Sequence, residues 1–389
     1  MAVSMDNRPS RLRSALAAIL SVSILLPAGL LFARVWQDVN DDRDSTAREQ
    51  LGVAYLTSLS PLVSSLSEAQ SSALRGITTA PGSLTAAVSR VTATDQRLGE
   101  TLGTRERWTG LRDKIGALPS VAGSPLEIFQ AHVEVTELTL ALYTTVRINS
   151  GLNRDPDNDV SNLQQALGVD LPATVVHVSR MGDLSLMVAG IAGTAEQRAQ
   201  QQAVLVPQFG AEVQAVNAAV ANLTDNLQAA VDDTESGTLS GSLVTTVDSF
   251  RRGVESFVRG ASPGANAPPD SAAMATAQSQ LQTSLGSLAG VLVREMTSLL
   301  TERRDRLDNR RLESLIAAGV AVLLALTAVG VMLTGRRRRT GPPAPAATGP
   351  HGAMPPGPDG PNRNGSFGPV PPYGTEPDPT RRERSGALR

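Results

Sequence analysis

The chain has 389 residues, no cysteine, three histidines and a net charge of −2. Lacking cysteine, it has no disulfides, thiolate metal sites or thiol nucleophile, and His132, His177 and His351 are too scattered to suggest a histidine metal site or catalytic triad. Residues 1–13 carry +2 and residues 336–389 carry +5, which leaves −9 for the part between them and argues against nucleic acid or an anionic membrane surface as its partner.

Two uncharged apolar runs of nineteen residues, Ala15 to Ala33 and Leu315 to Leu333, frame the chain. As helices each is about 28 Å long, enough to cross a hydrocarbon core of about 30 Å. Arg8, Arg11 and Arg13 precede the first run, and Arg336 to Arg339 follow the second. Basic flanks stay on the cytoplasmic side. The expected organisation is therefore a cytoplasmic N-terminus over 1–14, a membrane helix over 15–33 and an extracytoplasmic domain over 34–314. A second membrane helix over 315–333 and a cytoplasmic tail over 334–389 complete it. A cleaved signal peptide also fits the arginines and apolar core of the first run. That run is long for a signal core, and no small-x-small site follows Ala33 before the charges begin. Lys114 is the only lysine among the basic residues, which points to a GC-rich bacterial genome and so to a bacterial cell membrane.

The middle predicts an all-α fold, an elongated bundle or two stacked bundles sharing long helices. Tyr55, Leu59, Leu62, Leu66, Ala69 and Ala73 step by four and three, the spacing of a bundle seam, and Pro61 should kink that helix. A turn is expected from Gly76 to Ser83, a helix from Leu84 to Leu102, and a break from Pro119 to Pro125. Phe129, Val133 and Leu140 line the next helix, which ends near Gly151. A loop from Leu152 to Asp159 then starts another helix, interrupted at Leu171 and Pro172 and running on to about Gly193. Val213, Val216, Val220, Leu223 and Leu227 form one further seam, and Leu243, Val247, Phe250, Val254 and Phe257 another after a break at Gly237. A Pro/Gly loop spans Gly260 to Asp270. Leu281, Leu285, Leu288, Leu292, Met296 and Leu299 line the last helix, which passes the charged stretch Glu302 to Arg311 without a breaker, so one rod is expected from Val291 to Leu333. Ala317, Ala321 and Ala325 form a small-residue ridge on which a second copy of the chain could pack as a homodimer. Gly341 to Pro379 holds thirteen prolines, the composition of a disordered tail that serves as a spacer or docks a cytoplasmic signalling protein.

No phosphate-binding glycine loop, metal-ligand spacing or nucleophile elbow occurs, so no enzyme activity and no cofactor are expected. Asp157 or Asn158 reads as the cap of the following helix, with Asp155 and Asp157 as the alternative ligand contacts. Arg75, Arg147 and Arg180 stand among apolar neighbours. They are expected either to clamp a small anion such as a carboxylate or nitrate, or to pair with surface acids.

Several of these residues follow one another in a familiar order. Trp108 to Leu111, Phe129, His132, Ile148 to Leu152, Asp155 to Asp157, Leu171 with Pro172, and Arg180 with Gly182 together resemble the extracytoplasmic helical input domain of some bacterial chemoreceptors, diguanylate cyclases and hybrid sensor kinases. Ala69 to Gly76 is similar to an early segment of those domains and of nitrate- and nitrite-sensing domains. The likeness covers Ala47 to Leu186. It implies a sensor-like helical fold with a small-molecule ligand that the sequence does not name. Val160 and Ser161 depart from the hydrophobic-tyrosine pair usual after the Asp-Pro-Asp step, and no kinase, cyclase or methyl-accepting hairpin stands on the cytoplasmic side. A sensor acting through a separate cytoplasmic partner is one expectation, and an envelope scaffold or interaction protein is the other.

Overall fold

The computed structural model describes residues 9–153, 155, 157–233, 237–261 and 271–337; it leaves out the side chains of 9–22, 24, 25, 158, 159, 233, 237–240, 242–244, 259–261, 271–275, 329 and 331–337. The proline-rich tail, most of the Pro/Gly loop and most side chains of the first apolar run therefore lie outside the described residues. By its contacts the chain divides into Met1–Leu326 and Thr327–Arg389, and everything below concerns the first unit except the last turns of the final helix.

Every regular element among the described residues is helical: α1 (Pro9–Leu74), α2 (Gly82–Leu98), α3 (Arg105–Ala117), α4 (Pro125–Ser150), α5 (Asn158–Gln165), α6 (Leu171–Ala189), α7 (Ala195–Asp233), α8 (Gly237–Ala261) and α9 (Ser271–Arg337). A 3₁₀ turn, Leu118–Ser120, follows α3, and a π turn, Ala166–Asp170, joins α5 to α6. α1 packs on α2, α4 and α6, while α6 and α5 both pack on α7. The seams expected from spacing face the core: Tyr55, Leu59, Leu62 and Leu66 of α1, Leu223 and Leu227 of α7, Phe250 and Phe257 of α8, and Leu281, Leu285, Leu288 and Leu292 of α9 are all buried in one cluster.

The helix ends have local causes. Ser124 and Glu127 close a capping box at the start of α4, with Pro125 at its first position, and Gly151 ends α4 at φ 86°. Pro61 does not break α1. Beside Leu171 and Pro172 the α-helical pattern is interrupted: α5 ends at Gln165, a π turn spans Ala166–Asp170, and Pro172 stands in the first turn of α6.

The α1–α4 contact depends on a glycine. A Cβ at Gly52 would collide with Ser150 and Leu152, so the two backbones meet only because that position is bare. Gly52→Ala is expected to cost about 1–3 kcal/mol through overpacking, read as a lower melting midpoint by circular dichroism. An unchanged midpoint would mean that α1 and α4 do not pack this closely.

Among the described residues one helix, not two, is long and apolar enough to cross a membrane, within Thr276–Ala328 of α9, and none of its apolar window is buried. Leu315, Ile316, Val320, Leu323, Leu324 and Leu326 are all exposed there. The first apolar run falls mostly on residues whose side chains are not described. Where they are, Leu26, Leu30 and Leu31 are exposed.

Candidate functional site

The chain leaves α4 through Gly151, and buried Leu152 pins the loop that follows. Asp155 then turns inward, its side chain fully buried. One carboxylate oxygen accepts the backbone N–H of Asp157 at 2.9 Å, and the other accepts Gln164 Nε2 at 3.1 Å. Arg303 of α9 meets both oxygens, its Nη1 and Nη2 donating at 2.7 and 2.8 Å. Such a fork-to-fork pair is the strongest geometry open to an arginine and a carboxylate.

The same guanidinium gathers two more acids. Asp157 Oδ2 accepts from Nη2 at 2.7 Å, and Glu49 Oε2 of α1 lies 3.4 Å from Nη1. The expected capping role of Asp157 is thereby corrected. Asp157 occupies the N-cap position of α5, but its side chain makes no capping bond, and its Oδ2 accepts from Arg303 instead. The side chain of Asn158, the other capping candidate, lies outside the described residues.

Three carboxylates around one cation leave a surplus of negative charge. Glu49, side chain 5% exposed, absorbs it: burial and then the Asp155 charge push its carboxyl up to about 7, against the pull of Arg303. Burial works against the charge on Arg303, but the bond to Asp155 and the charges of Asp155, Glu49 and Asp157 outweigh it and hold the guanidinium ionised. An open cavity of about 500 Å³ borders the cluster, lined among others by Asp42, Ser45, Arg306 and Arg310.

Further along, α1 and α9 run antiparallel and meet through side chains. Arg304 Nη1 donates to Gln50 Oε1 at 3.2 Å, Arg43 Nε pairs with Asp308 at 2.8 Å, and Arg311 lies 4.8 Å over the Trp36 ring. The charged stretch Glu302 to Arg311 is thus a ladder onto α1.

Among the described residues, the three candidate arginines share no hydrogen-bond partner and line no common cavity. Arg147 donates to Gln165 Oε1 at 2.9 Å, and its stem lies against Gly168. Burial pulls its pKa down and Asp170 opposes that. Arg180 is buried, pairs with Glu137 at 2.8 Å and donates to Thr136 Oγ1 at 2.7 Å. Arg75 is exposed at the end of α1, on a different cavity. Near it Asp183, fully buried, accepts Gln70 Nε2 at 2.7 Å and Ser71 Oγ at 2.6 Å, and burial pushes its carboxyl up to about 6.

Arg303 and Glu49 escaped the sequence reading, yet a signal existed. The α9 seam continues through buried Leu300 and Leu307, and Arg303 stands between them on the same face. Compared with protein-family models, characterised proteins and solved structures, the chain matches none.

Proposed function

We propose that this chain is a two-pass bacterial membrane protein whose extracytoplasmic helical bundle senses a small molecule or protein and passes the change to a separate cytoplasmic partner. In this reading α1 and α9 carry the two membrane helices, both termini are cytoplasmic, and the proline-rich tail reaches the partner. One observation carries it. A single helix, α9, holds the core seam Leu281 to Leu300, then the Arg303 cluster, then the exposed apolar window. A continuous helix carries displacement along its length, where a flexible joint would absorb it. The Arg303 cluster ties that helix to α1 and to the loop whose residues resemble the sensor-domain signature.

The test uses the natural absence of cysteine. Val35 and Leu312, both exposed, are changed to cysteine and spin-labelled in the full chain in lipid nanodiscs. The distance between them is expected to shift by about 1–2 Å when small-molecule or protein fractions of the cell envelope are added. A distance that no fraction moves would identify a rigid envelope scaffold instead. A reporter active only in the cytoplasm, fused after Arg339, should be active. A mature N-terminus beyond Ala33 would overturn the two-pass organisation.

A further inference from the structure

A second cavity, of about 580 Å³, lies where α1 and α6 end and α4 and α7 begin. Its floor belongs to a small apolar cluster separate from the main core, built on buried Phe129, Leu184 and Leu205, with Leu74, Leu126, Met187 and Ile191 packed against it. The cavity exists because α6 stops at Gly190, which offers no side chain, and the chain reverses through Gly193 at φ 117°. Val204 stands at its edge, 44% exposed.

The polar part of the lining is sparse and of one sign. Among the described residues Arg75 is its only charged one, with Gln200, Gln201 and Ser124 as the neutral polar ones. Ser124 is already engaged, its hydroxyl and N–H held by the Glu127 carboxylate in the capping box. The charge of Arg75 does reach Asp183, but both oxygens of that carboxylate are taken by Gln70 and Ser71. The volume falls within the range of small-molecule sites, which are mostly apolar with a few polar groups that fix orientation. A bare inorganic anion would leave the apolar walls wet, and a dianion would find a single cation.

We propose that this cavity binds an apolar monocarboxylate, its hydrocarbon or aryl part lying over Leu74, Leu126, Met187, Ile191 and Val204 and its carboxylate pairing with Arg75. Binding would act on α1 directly. Gln70 and Ser71, within the last two turns of that helix before Arg75, hold Asp183 of α6, so a ligand that draws Arg75 away alters the same α1–α6 tie. That consequence rests on the sensing reading, whereas the binding itself does not.

The experiment is fluorine NMR on the full chain in nanodiscs, with a trifluoromethyl-labelled phenylbutanoate, its carboxamide and empty nanodiscs as the lipid control. The carboxylate is expected to bind saturably and more tightly than the carboxamide. Arg75→Gln should weaken the carboxylate by about tenfold or more and leave the carboxamide unchanged. Val204→Trp, which fills the cavity from an exposed position, should abolish both. No saturable binding of the carboxylate at millimolar concentration, equal binding of the two probes, or indifference to Arg75→Gln would each overturn the proposal. Binding that leaves the Val35–Leu312 distance fixed upholds this site and counts against sensing. A distance shift caused by envelope fractions, with no binding of the probe, removes this ligand class and leaves sensing standing.

Discussion

Arg303→Met is expected to lower the stability of the folded chain by about 3–5 kcal/mol, because it leaves the fully buried Asp155 and the nearly buried Glu49 without their cation. For a domain of this size that corresponds to a fall of about 5–9 °C in the melting midpoint. Methionine keeps much of the arginine stem's volume, so the loss measures the charge rather than a hole. The arrangement also predicts non-additivity. Asp155→Asn combined with Arg303→Met should cost clearly less than the two changes summed, since each alone strands the other's partner. A midpoint that stays put in Arg303→Met would show that the guanidinium is not the hub of this cluster.

The second large effect is a dependence on pH. Burial pushes the Glu49 carboxyl up to about 7 in the fold, against an ordinary value of 4.5. Between those values the folded state holds the proton more often, so stability falls as pH rises. The contribution is fully present below 4.5 and lost as pH passes through 7, about 3 kcal/mol in all. Other buried groups titrate as well. Asp183, pushed up to about 6, adds a slope of the same sign at lower pH. His132, which burial pulls down to about 4 from 6.5, adds the opposite slope between those values. The difference between the wild type and Glu49→Gln cancels both. Chemical denaturation of the two chains from pH 4.5 to 8 should show the wild type losing about 3 kcal/mol relative to the variant. Parallel curves would remove Glu49 from the account.

The helices were legible because their causes are local. A seam such as Tyr55, Leu59, Leu62 and Leu66 declares its buried face by spacing alone, and all four are buried. The end of α4 was legible for the same reason, since Gly151 supplies a left-handed residue where the apolar pattern stops. The interruption beside Leu171 and Pro172 was legible from the proline, but the π turn that forms it leaves no mark in composition. The Arg303 cluster was harder still. Glu49, Asp155 and Arg303 are far apart in the chain, and nothing in the Asp-Pro-Asp step says that its carboxylates turn toward an arginine on the last helix. The capping role assigned to Asp157 followed from local rules, and a distant cation overrode it.

The ladder between α1 and α9 bears on which movements are open to the pair. Two leucine seams can slip by one turn and meet nearly equivalent neighbours. Here Arg303 faces Glu49 and Asp308 faces Arg43, while the positions one turn to either side of Arg303 are Leu299 and Leu307. A slide of about 5.4 Å would set a leucine against the buried acids. The scale has a single matching mark, so sliding by whole turns is closed and a tilt or rotation about the Arg303 fork is the movement left. Its rungs also differ in their sensitivity to salt. The Arg43–Asp308 rung is partly exposed at 32% and 43% and loosens as ionic strength rises, whereas the buried Asp155–Arg303 fork holds, so salt would release the outer end of the scale before the inner one.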